Sequence, residues 1–482
     1  MTSLKKQTIS GIKWLVGSSF IGRTISLCTT VVLARILSPA VFGLYSLAFI
    51  AIDALSLFKS MGFDSALIQR KDNVGKAANT AFFVIPFFGI VLYLILSISA
   101  PMIGRFLNNQ EVIGVIRALG IIFIISCFGK VPAALLEKNM QFKKVSVIEI
   151  STGFIYALTA IILAISGVGI WSLVYAYILK TIYQNTMYFI VSRWRPKFEF
   201  DRKIALEMFN FGKFLFLGGA VWFLKMNLDN LLVGKLLGVT ALGLYAIAFN
   251  VANFGADYFG ARVYRVIFPA YSKMQSDLGD LRKASLKVIK HISLIALPFG
   301  IAIFLLGKEL LIFVYGQKWI GAVGVLRILA WAGIFNTLPA GLGGIFLACG
   351  KPKLGFWITS LQVIIFFIFI TPMAKLFGIN GVGVVVSISS FIAFIITLIW
   401  SMKILSINLN QIYLSFKPSL IASLSMAFAI IIFKNILFQN KFSILFHYNL
   451  IILFFLAITI YSLTLLRIER TLLKEIKELV FL

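Results

Sequence analysis

Residues 213–249 read KFLFLGGAVWFLKMNLDNLLVGKLLGVTALGLYAIAF, and residues 13–49 read KWLVGSSFIGRTISLCTTVVLARILSPAVFGLYSLAF. At a constant offset of 200, with no gap, Lys13/Lys213, Leu15/Leu215, Leu37/Leu237, Gly43/Gly243, Leu44/Leu244, Tyr45/Tyr245, Ala48/Ala248 and Phe49/Phe249 coincide, and Arg35 faces Lys235. Each copy is a long apolar segment spotted with charge, a short break, and the start of a second apolar segment. An offset that survives two segments and the turn between them is the mark of an internal duplication. The chain therefore reads as two similar halves, each opening on a polar-spotted hydrophobic helix.

The composition places those helices in a membrane. Of 482 residues, 60% are hydrophobic and 13% charged, and the mean hydropathy is +0.99. A soluble domain carries about 25% charged residues. The net charge of +28 invites a nucleic-acid reading, but the basic residues sit in short breaks between apolar runs and build no separate basic domain. Lys- and Arg-rich cytoplasmic connections account for them better. Cys28, Cys127 and Cys349 lie inside apolar runs and read as small buried hydrophobes, without disulfide or metal spacing. Residues 11–33 are too long for a signal-peptide core and are kept as a first span.

A span needs about 20 apolar residues, and on that rule the chain holds about fourteen. They lie near 11–34, 40–62, 79–103, 112–136, 145–166, 169–191, 209–234, 240–262, 286–306, 321–348, 354–376, 379–402, 414–434 and 445–466. The expected fold is all-α and polytopic, with an N-lobe over 1–203, a C-lobe over 204–403, and a helix pair with a basic tail over 404–482. VIRAL at 115–119 resembles VLRIL at 325–329, and Pro132 and Pro339 follow at similar distances. The connections sort by charge: one side receives Lys5–Lys6, Arg70 to Lys76, Lys138 to Lys144, Arg193 to Lys203, Arg265 to Lys290, Lys351 and Lys353, and the tail. That richer side reads as cytoplasmic, with both termini on it. The halves are then parallel repeats, and a site between them is expected near the midplane.

Ionisable side chains inside spans need partners, snorkelling or water. Residues three, four and seven apart share a helix face. On that spacing Ser19, Arg23, Ser26 and Thr30 line one face of the first span, and Ser46, Asp53, Ser56 and Ser60 one face of the second. Tyr177, Lys180, Gln184 and Tyr188 line the sixth, Gly218, Trp222, Lys225 and Asp229 the seventh, and Asn250, Asn253 and Asp257 the eighth. Asn253 stands at the repeat position of Asp53. Beside this stands the plainer reading, in which Ser and Thr serve packing and Lys225 with Asp229 makes a structural ion pair at i, i+4. Arg117 and Arg327 can snorkel, and Lys130, Glu149 and His291 read as structural. Arg23 resists that treatment, because it lies about twelve residues into a span. Arg23, Lys180 and Lys225 are the candidate substrate-binding residues, since arginine as a planar fork and lysine as a point charge together suit phosphate. Asp53, Asp229 and Asp257 are the candidates for coupling to H+ or Na+ or for positioning those charges.

Enzymatic signatures are missing from the sequence: no Walker-type loop, no HExxH, no metal-spaced Cys/His set and no nucleophile elbow. Neither a cofactor nor an enzymatic activity is expected.

The stretches GIKWLVGSSFIGRTISLCTTVVLARILSPAVFGLYSLAF (11–49), FKSMGFDSALIQRK (58–71), LEKNMQFKKVSVIEI (136–150), GVGIWSLV (167–174), WRPKFEF (194–200), NLDNLLVGKLLGVTALGLY (227–245) and LRILAWAGIFNTLPAGLGGIFLACGKPK (326–353) resemble the bacterial polysaccharide exporters, or flippases, of the multidrug/oligosaccharidyl-lipid/polysaccharide superfamily. The likeness covers roughly residues 5–400. It implies movement of a polyprenyl-diphosphate-linked oligosaccharide from the inner to the outer leaflet of the cytoplasmic membrane, for exopolysaccharide or lipopolysaccharide synthesis. It also implies alternating access around a cationic cavity, with membrane lipid, a polysaccharide polymerase and glycosyltransferases as partners and no role for nucleic acid. A drug/cation antiporter of the same fold would prefer an acidic, aromatic cavity. A membrane glycan polymerase or ligase would show a long outer loop with paired charges.

Overall fold

In the computed structural model the described residues are 2–56, 58–59, 62–70, 72–260, 263, 267, 270–275, 277–438 and 446–469, less the side chains of 2–13, 15–16, 210–222, 257, 259 and 446–448. Every regular element among them is helical. Among the described residues eleven helices are long and apolar enough to cross a membrane. Two of the eleven turn at a glycine with left-handed φ: Gly238, at φ 86°, interrupts Arg202–Ala252, and Gly378, at φ 59°, interrupts Pro352–Leu405. Left-handed backbone is open to glycine without a Cβ penalty, so the chain turns where these residues stand. Both breaks fall between spans that the sequence separates. Ile170–Ser192, with 23 residues, is not among the eleven.

The chain divides into two compact units, Met1–Gly243 and Leu244–Leu482. In the first, α1 (Thr2–Ile36) packs against α7 (Phe142–Ile165), which packs against α8 (Ile170–Ser192). In the same unit α4 (Val74–Phe106) pairs with α5 (Glu111–Phe128), while α2 (Pro39–Ser56) and α8 both lie on α5. Leu33, Leu37, Ala160, Ala164, Leu173 and Ala176 form the core where α1, α7 and α8 meet. Small residues there let helices approach closely, the usual source of cohesion when lipid is as apolar as the side chains. The opposite face of α7 exposes Phe154, Leu158, Ile162 and Ile165, the i, i+4 spacing of a helix side turned to lipid.

The expected fourth span, 112–136, is two helices. It ends at Phe128, and after Gly129 a short amphipathic helix α6 (Lys130–Lys138) begins. A side chain at Gly129 would collide with Asn185 of α8, and α6 carries Lys130, Glu137 and Lys138, which do not suit hydrocarbon. The expected tenth span divides the same way: Val323–Thr337, a 3-10 turn Leu338–Gly341 holding Pro339, then Gly343–Ala348. The second span also stops early, at Ser56, and α3 (Phe63–Gln69) follows.

α9 (Arg202–Ala252) begins in the first unit, where Ile204 and Met208 join a core with Phe63, Leu67, Ala77, Ala81 and Val131. In the second unit α10 (Leu278–Tyr315) packs against α11 (Val323–Thr337), and α11 against α13 (Pro352–Leu405), which follows the short α12 (Gly343–Ala348). The last pair, α14 (Leu409–Phe438) and α15 (Phe446–Ile468), lies along α10. Polar pins hold it there: Lys434 pairs with Glu309 at 3.0 Å, Ser419 donates to the Ser293 carbonyl, and Tyr461 donates to that of Leu294.

Candidate substrate site

Tyr45, Asp53, Tyr156, Tyr177 and Lys180 gather where α2, α7 and α8 of the first unit converge. On α2, Tyr45, Phe49 and Asp53 recur every four residues and so share one face. The Tyr45 and Phe49 rings stand 4.7 Å apart, and Phe49 meets Tyr177 of α8 edge-on at 4.9 Å. One turn past Tyr177, the Lys180 ammonium lies over two rings, 4.5 Å from the centroid of Tyr177 and 5.4 Å from that of Tyr156 on α7. Tyr156 also shares a side-chain hydrogen bond with Tyr45, and the Asp53 carboxylate interacts electrostatically with Tyr45 and Tyr177. A cation at this distance from a ring face is attracted by its quadrupole, by up to about 2 kcal/mol where water is excluded. Lys180 is therefore a held charge, half-buried, while Asp53 stands exposed at the end of its helix. Farther along α8 the stripe continues through Gln184, hydrogen-bonded to Tyr188.

Sequence reasoning placed Tyr177, Lys180, Gln184 and Tyr188 on one face and Asp53 on another, but missed Tyr156 and Tyr45. A lone tyrosine in the apolar run GFIYALTAII is a signal of the right kind, since a buried phenol oxygen needs a partner.

Arg23 is exposed on α1. The buried side of that helix holds Ser18, Thr29 and Leu33, and Ile25 packs near Gly153 of α7. Two residues from Ile25 is more than half a turn, so Arg23 projects off the α7-packed side. Lys225 and Asp229 lie one turn apart on α9; Lys225 is half-buried and Asp229 only 1% exposed. Asp229 accepts from the backbone N–H of Asn230 at 2.8 Å. The side chains of Asp257 and Trp222 lie outside the described residues. Asp257 belongs to a π-helical turn, Ala256–Gly260, just past Asn253. Asn253 is 4% exposed, donates to the Phe249 carbonyl and accepts from Asn336 at 2.9 Å. Among the described residues no group of three or more His, Cys, Asp or Glu could hold a metal ion.

Below the tyrosine cluster, at the ends of the spans, a second charged group serves structure. Lys130 pairs with Asp64 at 3.4 Å. Lys138 donates to the Leu67, Ile68 and Arg70 carbonyls, the open end of α3. Lys59 lies beside them, and burial first, then the Lys130 charge, pushes its ammonium down from 10.5 to about 8. Arg117 donates to the Ser97 carbonyl of α4.

A family model for polysaccharide biosynthesis proteins matches residues 32–324, more than half of the chain. The chain belongs to the polysaccharide biosynthesis protein family. This polysaccharide biosynthesis protein is 28% identical over 450 residues, 92% of each chain, to teichuronic acid biosynthesis protein TuaB of Bacillus subtilis (strain 168). It is 26% identical over 386 residues, 79% of this chain and 78% of the other, to lipopolysaccharide biosynthesis protein WzxC of Escherichia coli (strain K12). It is 25% identical over 322 residues, 65% of each chain, to succinoglycan biosynthesis transport protein ExoT of Rhizobium meliloti (strain 1021). Its fold is similar to that of the lipid II flippase MurJ in an inward closed conformation, with TM-score 0.78 and 16% identity over 96% of this chain and 100% of that one. An inward-facing multidrug resistance MATE family transporter of the MOP superfamily follows at TM-score 0.61 and 17% identity, over 80% and 94% of the two chains. The resemblance read from the sequence and the all-helical polytopic fold are both borne out.

Proposed function

We propose that this protein carries a polyprenyl-diphosphate-linked oligosaccharide across the cytoplasmic membrane for surface polysaccharide synthesis, exposing its cationic residues to each side in turn. The observation that carries the reading is Lys180, an ammonium fixed over Tyr177 and Tyr156 inside a membrane-spanning unit. A point charge held at membrane depth recognises an anion, and a diphosphate is the anion that a lipid-linked glycan presents. Tyrosine faces beside it suit the apolar faces of sugar rings. The names of the relatives, a succinoglycan biosynthesis transport protein among them, support the same substrate class, and the flippase-like fold supports the same motion.

In this reading Arg23 and Lys225 complete the anion site, while Asp53, Asp229 and Asp257 position those charges or carry a coupling H+ or Na+. The fourteen-span arrangement, the lobes at 1–203 and 204–403 with an appended helix pair, and two cytoplasmic termini belong to it, as do a polymerase and glycosyltransferases working beside the carrier. A drug antiporter on the same fold would need a cavity that welcomes cations, which a fixed ammonium opposes.

The test is export of surface polysaccharide by cells carrying Lys180→Ala, Tyr156→Leu or Tyr156→Phe, with membrane abundance scored in parallel. Lys180→Ala is expected to stop export at normal abundance. Tyr156→Phe keeps the ring under the ammonium and should retain most of it, and Tyr156→Leu should not. Full export by Lys180→Ala would overturn the reading.

A further inference from the structure

The connector between α8 and α9, residues 193–201, is fixed to the first unit at every second or third residue. Asn79 and Thr80, near the start of α4, are 4% and 0% exposed. Asn79 accepts from the Lys197 N–H at 3.1 Å and donates to the Glu199 carboxylate at 3.0 Å, while Thr80 accepts from the Asp201 N–H at 3.1 Å. Trp194 packs edge-on against Phe82 at 5.4 Å and stacks on Phe189 at 6.4 Å. A segment held this way presents its outward side chains in one arrangement.

Those outward side chains are mainly of two kinds. Phe198 is 97% and Phe200 62% exposed, although burial of a phenylalanine side chain is favourable. Arg193, Arg195, Lys197, Arg202 and Lys203 surround them, all exposed, and none forms an ion pair with a carboxylate among the described residues. The two acids of the segment are engaged: the exposed Glu199 accepts from Asn79 through one carboxylate oxygen, and Asp201 accepts from the backbone N–H groups of Lys203 and Ile204 at the start of α9. The outward surface is then five cations and two aromatic wedges around one hydrogen-bonded carboxylate, a few residues from the end of α8 at Ser192.

We propose that this arch is a docking surface for anionic phospholipid headgroups. Phe198 and Phe200 enter the boundary between headgroups and acyl chains, and the five cations meet the phosphates around them. Aromatic side chains at the interface and basic residues beside a span are the pair of features that such a layer selects. Because Asn79 and Thr80 fix the same segment to α4, the lipid surface then bears on the start of α9, the helix that carries Lys225 and Asp229. The docking itself does not depend on which substrate is carried.

The test uses the full chain in vesicles of phosphatidylcholine with or without phosphatidylglycerol. Phe198→Cys and Phe200→Cys, made with Cys28, Cys127 and Cys349 changed to alanine, each receive a nitroxide whose accessibility to oxygen and to a water-soluble nickel chelate is measured. In anionic vesicles both labels are expected to favour oxygen several-fold more than a label at Lys283, and Lys197→Gln or Arg202→Gln should each weaken immersion about fivefold. Labels open to nickel in both lipids would overturn the proposal. So would labels shielded only in native membranes, which would give the surface to a protein. Should the labelled chains not fold, amide exchange of residues 193–201 in the unaltered chain reads the same contact: slower exchange with phosphatidylglycerol supports it, and equal exchange overturns it.

Discussion

Gly43 and Gly243, equivalent positions of the repeat, lie face to face. A Cβ on Gly43 would stand 1.7 Å from the Val239 carbonyl oxygen, and one on Gly243 would stand 1.9 Å from that of Pro39. Val239 and Pro39 are themselves equivalent positions at the offset of 200. The obstacle is backbone on both sides and cannot rotate away. Gly43→Ala and Gly243→Ala are each expected to cost about 1–3 kcal/mol and to lower the melting temperature in detergent by several degrees. Unchanged melting in either would show that the crossing is looser than these distances imply.

Arg23 stands on the exposed side of α1. Arg23→Ala should abolish surface polysaccharide while the protein stays in the membrane. Arg23→Lys should restore part of it, since the charge survives and the planar fork does not. Normal export by Arg23→Ala would remove this residue from the anion site.

Lys225 and Asp229 separate structure from transport. If Asp229 serves only to balance Lys225, either single alanine leaves a buried charge uncompensated, at about 3–5 kcal/mol, and the double change is milder. If Lys225 meets the anion, the double variant should reach normal abundance and still fail to export. We expect the second result. Recovery of both abundance and export would make the pair a support for the helix alone.

Lys59 gives a pH dependence. Its ammonium sits near 8 in the folded protein against 10.5 for the free side chain, so between those values the unfolded chain binds more protons. Stability therefore rises as pH climbs through that window and is least below about 8. Melting at about pH 9.5 should exceed melting at about pH 7.5 by more in the native chain than in Lys59→Met. Equal slopes would place Lys59 in water.

Much of this was legible in the sequence because lipid makes demands that a single chain reveals. The separations at Gly238 and Gly378 are visible as pauses in apolar character, and the faces of α8 and α1 follow from spacing. The break at Gly129 was hidden by the apolar residues that follow it, VPAALL, since hydropathy does not report that Asn185 presses against the glycine. Tyr156 was missed for a related reason. Its role comes from Lys180 and Tyr45 on other helices, and periodicity describes one helix at a time. The hydrogen bonds of Asn79 and Thr80 join positions about 120 residues apart, a relation that only folding creates.

Position 53 of the first copy and position 253 of the second have parted company. Asp53 keeps an exposed carboxylate, while Asn253 has both ends of its amide engaged, one by Phe249 and one by Asn336. After a duplication, two copies of a site begin with the same freedom to vary. Here one copy has become answerable to neighbouring helices and the other to whatever approaches from outside the bundle. If Asp53 serves transport as proposed, changes at 253 will be felt as loss of protein, and changes at 53 as a change in what the protein does.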